Sequence, residues 1–191
     1  SVEQLALEAL GSDVMMSKAG GTGKAAIEQF LGTHRANVAA LAPLVEQNGG
    51  KSVTAPNTRM MKNYVTTATA LIDESDTPDT DVLVFVHALE GIVAATYQAF
   101  VAWTSEPSLR AAMMTLAVAP SENSAATAQL LRSGTAGIVP GLDENGAELV
   151  ATLPSAFGPL SAYGITIGKV NEAGARTTIN METPSLNSLE Y

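Results

Sequence analysis

No cysteine occurs in this 191-residue chain, so disulfide staples and thiolate metal sites are both excluded. Histidine is nearly absent: there are two, and neither lies near a Gly-x-Ser-x-Gly turn, which leaves hydrolase chemistry without its parts. Charge is scarce as well. Asp, Glu, Lys and Arg make up 15% of the residues, against roughly 25% in an ordinary soluble domain. Such a surface fits a protein that faces other protein over much of its area, or one that works outside the cytoplasm. Basic residues are the scarcer sign, ten against 19 acidic, for a net charge of −9, and they are scattered. Nucleic-acid binding needs Lys and Arg clustered on phosphates, so that class is excluded. Long apolar runs are also wanting. Only Val82 to Thr104 has the length of a membrane span. It holds His87, Glu90 and Gln98 on a three-four periodicity, which reads as a core helix and not as a transmembrane segment. Gly20-Gly21-Thr22-Gly23-Lys24 lacks the spacing and the preceding strand of a phosphate loop and reads as a helix connector.

What is present is helical pattern. Residues 2–17 read as a short helix ended by the glycines at 20–23. Residues 24–47 read as a long one, with a seam of Ile27, Leu31, His34, Val38, Leu41 and Val45, a bend near Ala42 imposed by Pro43, and Asn48-Gly49-Gly50 as its stop. A shorter helix is expected from Arg59 to Ile72. Thr80 or Asp79 should cap the next, which runs to about Trp103. The last begins at Pro107 and runs to about Ser133, kinked at Pro120. From residue 135 Gly, Pro, Ser and Thr become common. Ile165–Val170 and Arg176–Met181 flank Asn171-Glu172-Ala173-Gly174-Ala175, a hairpin signal. An isolated hairpin is only marginally stable, so it must pack on the helices or on another subunit. The expected organisation is a helical bundle over 1–134 and an extension with a hairpin over 135–191.

Polar residues in the seams carry the functional interest. Leu83, Val86, Glu90, Val93, Tyr97 and Phe100 step by three and four, which places Glu90 in a core seam. A buried carboxylate must be paired, metal-bound or protonated. His34 holds the equivalent position on the 24–47 helix, and His87 shares a face with Glu90. A buried polar cluster of Glu90, His34, Tyr97 and His87 is therefore expected. Carboxylates in bundle seams also build di-iron and di-manganese sites.

The order of segments resembles the bacterial ferritin-like domain proteins, the secreted group that includes desiccation-related members. The resemblance is carried by Phe30-Leu31-Gly32-Thr33-His34-Arg35-Ala36-Asn37, then Pro56-Asn57, then Ala88-Leu89-Glu90 with Thr96-Tyr97, then Leu109-Arg110, and by the ending Thr183 to Tyr191. It implies a mainly α fold, an antiparallel four-helix ferritin-like bundle with a carboxylate- and histidine-rich centre. The general site of that fold takes single Glu residues from two helices and a Glu-x-x-His pair from each of the other two. On that pattern Glu90 matches a lone Glu. Glu122 matches the Glu of a pair whose His is replaced by Ala125. His34 matches the His of a pair whose Glu is replaced by Leu31. Glu8 and Glu28 are the substitutes at hand. The metal candidates are thus Glu90, His34 and Glu122, an incomplete set.

Two functions from different classes follow. The first is a non-enzymatic, extracytoplasmic protein with a degenerate metal site and no cofactor, a structural or assembly component that associates with itself or with another protein. A chain starting at Ser1 suits a removed leader. The second is a protein that binds iron or manganese, with an oxidase or storage-type role.

Overall fold

The computed structural model describes residues 1–132, 145 and 162–183. Along them the chain forms α1 (Val2–Leu10), α2 (Asp13–Lys18), α3 (Gly21–Gln47), α4 (Thr58–Met60), a π-helical turn (Met61–Val65), α5 (Thr66–Asp73), α6 (Pro78–Trp103), α7 (Pro107–Leu116), α8 (Val118–Leu131), β1 (Ala162–Ile167) and β2 (Thr177–Glu182). The fold is mainly helical, with one small antiparallel sheet in the C-terminal region. Among the described residues only α3 and α6 are long helices. The other helices are shorter pieces, because the sequence interrupts them. Gly11-Ser12 separates α1 from α2, and the Ser12 hydroxyl accepts the Met15 amide at 3.4 Å as a helix cap. Asn57 caps α4 in the same way through Met60 N–H at 2.9 Å. The 107–131 stretch breaks at Ala117, three residues before Pro120, into two helices and not one kinked helix.

The ends of the long helices follow backbone chemistry. Pro43 is accommodated inside α3. The chain leaves α3 through Gly49 at φ 78°, a left-handed conformation that glycine adopts without strain. At the start of α6 the cap is Thr77 and not Thr80 or Asp79. Pro78 then occupies the first helical position, where a missing N–H costs nothing.

The core surrounds α6, whose Phe85, Leu89 and Ile92 are fully buried together with Leu5 and Leu10 of α1, Ile27 of α3 and Ile72 of α5. By length and composition α6 is the one helix among the described residues able to cross a membrane, and its most apolar stretch is 78% buried inside the molecule. That burial makes it a core helix.

The hairpin covers one side of α6. Its register pairs Ile165 with Ile179 and Tyr163 with Met181. Tyr163, Ile165, Ile167, Ile179 and Met181 point inward, while Thr166 and Thr178 point to solvent. This alternation is the half-buried pattern read from the sequence, although β1 starts and ends three residues earlier than that reading placed it. The apolar face finds its cover on α5 and α6 of the same chain. Two anchors hold it. Asp81, fully buried on the first turn of α6, accepts the Ser75 hydroxyl at 2.6 Å and the Gly168 amide at 2.8 Å, and pairs with Arg176 through the same oxygen. The Tyr163 ring lies directly against Gly91. Apart from residue 145, the rest of the 135–191 extension falls outside the described residues.

Candidate functional site

The seam positions that carry polar residues converge at the centre of the helices. α1 brings Glu3, α3 brings His34 and Asn37, and α6 brings Glu90 and Tyr97. Each lies on the apolar stripe of its helix, and all five are buried; His34 and Glu90 are wholly excluded from solvent. His34 is the hub. Its Nδ1 lies 2.6 Å from Glu3 Oε2 and its Nε2 lies 2.9 Å from Glu90 Oε1. The imidazole is thus clamped between two carboxylates from two different helices. The other oxygen of Glu3 accepts the Asn37 amide at 2.9 Å and the Tyr97 hydroxyl. Asn37 also donates to the Leu116 carbonyl at 3.2 Å, tying the cluster to the end of α7.

The electrostatics follow from this geometry. Burial alone would lower the His34 pKa, but the hydrogen bonds and negative charges of Glu3 and Glu90 outweigh it and push it up to about 9. At neutral pH the ring is a cation, and both its N–H groups donate. Burial raises the pKa of Glu90, and the Glu3 charge adds to the rise, while His34 and the nearby Asn123 amide oppose it. Burial, then the adjacent Glu3 carboxylate, raises that of Tyr97, so the phenol stays protonated and donates. The cluster is a carboxylate–imidazolium–carboxylate triad with a phenol and an amide closing its open side. One atom is left over: Glu90 Oε2 is buried with no hydrogen-bond partner among the described residues, while Asn123 gives its own hydrogen bond to Thr33.

The remaining candidates lie elsewhere. Glu122 is exposed on α8 and cannot reach the cluster, because the break at Ala117 sets the phase of α8 so that Asn123 and Thr127 turn inward instead. Glu8 and Glu28 are exposed too. His87, expected in the cluster, stands apart from it. Its Nδ1 donates to the Ser124 carbonyl at 3.0 Å, and burial lowers its pKa, so the ring is neutral. The cluster members that sequence reasoning missed are Glu3 and Asn37. For Glu3 the signal was available: Glu3, Ala6 and Leu10 step by three and four, all buried on α1, the same rule that singled out Glu90. Asn37 lies three residues after His34 on the same helix face.

As arranged, these residues do not fit a metal ion. A ligating histidine must offer a free lone pair, and both ring nitrogens of His34 are engaged with carboxylates. Those carboxylates lie at opposite edges of the imidazole, so they do not converge on one point. Among the described residues no group of three or more His, Asp or Glu side chains is placed to hold one ion. No protein-family model, no curated protein and no solved structure matches this chain.

Proposed function

We propose that this is a non-enzymatic, extracytoplasmic protein of the ferritin-like type, in which an ion cluster stands where the bundle fold would carry its metal centre, and that it serves as a structural or assembly component. The observation that carries this reading is the engagement of both His34 ring nitrogens by Glu3 and Glu90. A group bonded in that way has no lone pair for a metal and no free proton acceptor for catalysis. The triad instead ties α1, α3 and α6 into one register, a specifying use of buried charge. An assembly role draws support from the large apolar side chains left exposed along α7 and α8, Met114, Val118 and Leu130, on a chain so short of charge. The extracytoplasmic location rests on that same scarcity of charge.

Metal analysis of protein purified from its native source, with sedimentation of the same sample, tests the proposal. The expected result is no stoichiometric metal and an assembly larger than one chain. The iron- or manganese-binding alternative has one favouring observation, the unpartnered Glu90 Oε2. It requires His34 to lose a proton and turn away from a carboxylate. Stoichiometric iron or manganese in the native protein would decide for it.

A further inference from the structure

A cleft of about 820 Å³ opens beside the triad, between the C-terminal halves of α3 and α6, with α7 and the first residues of the chain completing its walls. That volume lies within the range of small-molecule sites, which run from about 300 to about 1,000 Å³. Its walls are apolar side chains that the fold leaves only half covered: Leu41 and Val45 from α3, Phe100 and Trp103 from α6, and Met113 from α7. Phe100 and Trp103 meet edge to face at 5.5 Å and 81°, which fixes the shape of one wall. The seam residues of the two long helices are therefore turned toward each other without filling the space between them.

The charges of the cleft are laid out along its depth. At the base are Tyr97 and the Glu3 carboxylate, both buried, and the half-buried Ser1 also lines the cleft, its ammonium partly desolvated by burial and stabilised by the Glu3 charge. Glu3 already accepts three hydrogen bonds, so it asks for no further donor and repels an anion. At the rim is Lys51, exposed and without an ion-pair partner among the described residues. Its neighbours on the rim, Asn48, Ser52 and Thr54, are polar and uncharged, and Ser52 donates to the Glu46 carboxylate at 3.1 Å, which keeps that acid occupied beside the rim. A ligand suited to this layout is apolar along most of its length and carries one negative group at the end left in water.

We propose that the cleft binds a free single-chain amphiphile, a long-chain carboxylate, with its hydrocarbon between α3 and α6 and its carboxylate at the rim beside Lys51. Each buried methylene should tighten binding about fourfold, and the rim pair should add about three- to fivefold.

Trp103 is the single tryptophan of the chain and lines the cleft, so its fluorescence reads occupancy directly. The test is titration of the full chain with a fatty acid brominated on its chain, a heavy-atom quencher. The expected result is saturable quenching at one ligand per chain, competed by palmitate far better than by octanoate. Ala42→Phe, which fills the cleft from a half-exposed position, should abolish quenching while helix content is unchanged. Lys51→Gln should weaken the carboxylate about three- to fivefold and leave the matching alcohol unaffected. Absence of quenching, equal affinity for a long-chain amine, or quenching only by anionic phospholipid vesicles and not by monomeric fatty acid would each overturn the proposal.

Discussion

Alkaline pH should loosen this protein through one side chain. His34 titrates near its ordinary 6.5 in the unfolded chain and at about 9 in the fold. The folded state therefore holds the proton more tightly. Its stabilisation is fully present below pH 6.5 and is lost as the pH rises through about 9. The displacement corresponds to about 3 kcal/mol, a large share of the roughly 5–15 kcal/mol that holds a domain together. Glu90 acts in the same direction from lower pH, since its pKa is raised by burial and its contribution falls once the pH passes its ordinary 4.5. His87 has the opposite sign. Burial depresses its pKa, so its contribution is complete above 6.5 and is lost only on acidification. Tyr97, raised from 10.0, acts only beyond the window. Urea denaturation followed by helical circular dichroism, repeated in steps from pH 6.5 to 9.5, should show unfolding free energy falling by about 3 kcal/mol. His34→Gln should abolish the fall across that window, leaving the rise due to the Ser1 ammonium, which burial holds below its ordinary 8.0. A flat wild-type profile, or a fall that survives His34→Gln, would refute the clamp of two carboxylates on one imidazolium.

Three further outcomes are expected. Gly91→Ala sets two effects against each other: helix propensity favours alanine by about 1 kcal/mol, but the new methyl would lie 2.6 Å from Tyr163 Cε1, an overlap costing about 1–3 kcal/mol. Net destabilisation with loss of amide protection at Ile165 and Ile179 is expected by hydrogen exchange, rescued by Tyr163→Leu; a more stable variant with intact protection would contradict the docking of the hairpin. Glu90→Gln should cost no more than about 2 kcal/mol, because an amide oxygen still accepts from His34, whereas His34→Leu strands two buried carboxylates and should cost about 3–5 kcal/mol; equal costs in denaturant unfolding would argue against the imidazole as hub. Asp81→Asn weakens the pairing with Arg176 and should raise the proteolytic sensitivity of residues 162–183 before the helices melt; unchanged cleavage kinetics would show that the anchor is dispensable.

Much of this fold was legible because apolar periodicity is a local property. The seam rule gave α3 and α6 and placed His34, Glu90 and Tyr97 inside before any contact was known. It gave the hairpin from alternation about Asn171–Ala175. What it could not give was phase across interruptions. Glu122 follows the break at Ala117, and one residue of phase there decides whether Glu122 or Asn123 faces the centre. Glu3 went unread because α1 is short and the rule was applied only to the long helices. His87 shares a face with Glu90 in projection, yet a helix this deeply buried packs on all sides, and its partner became the Ser124 carbonyl on α8. The Asp81–Arg176 pair spans 95 residues of sequence, a distance at which no local pattern speaks.

The most direct measurement is the protonation state of His34, read by nitrogen NMR of histidine-labelled protein at pH 7, with and without one equivalent of manganese, iron or zinc. The expected spectrum shows both ring nitrogens protonated, deprotonation only near pH 9, and no specific change on adding metal. A neutral ring at pH 7 with one bare nitrogen, or a stoichiometric shift of that nitrogen on adding metal, would contradict a structural ion cluster and leave a metal centre in its place.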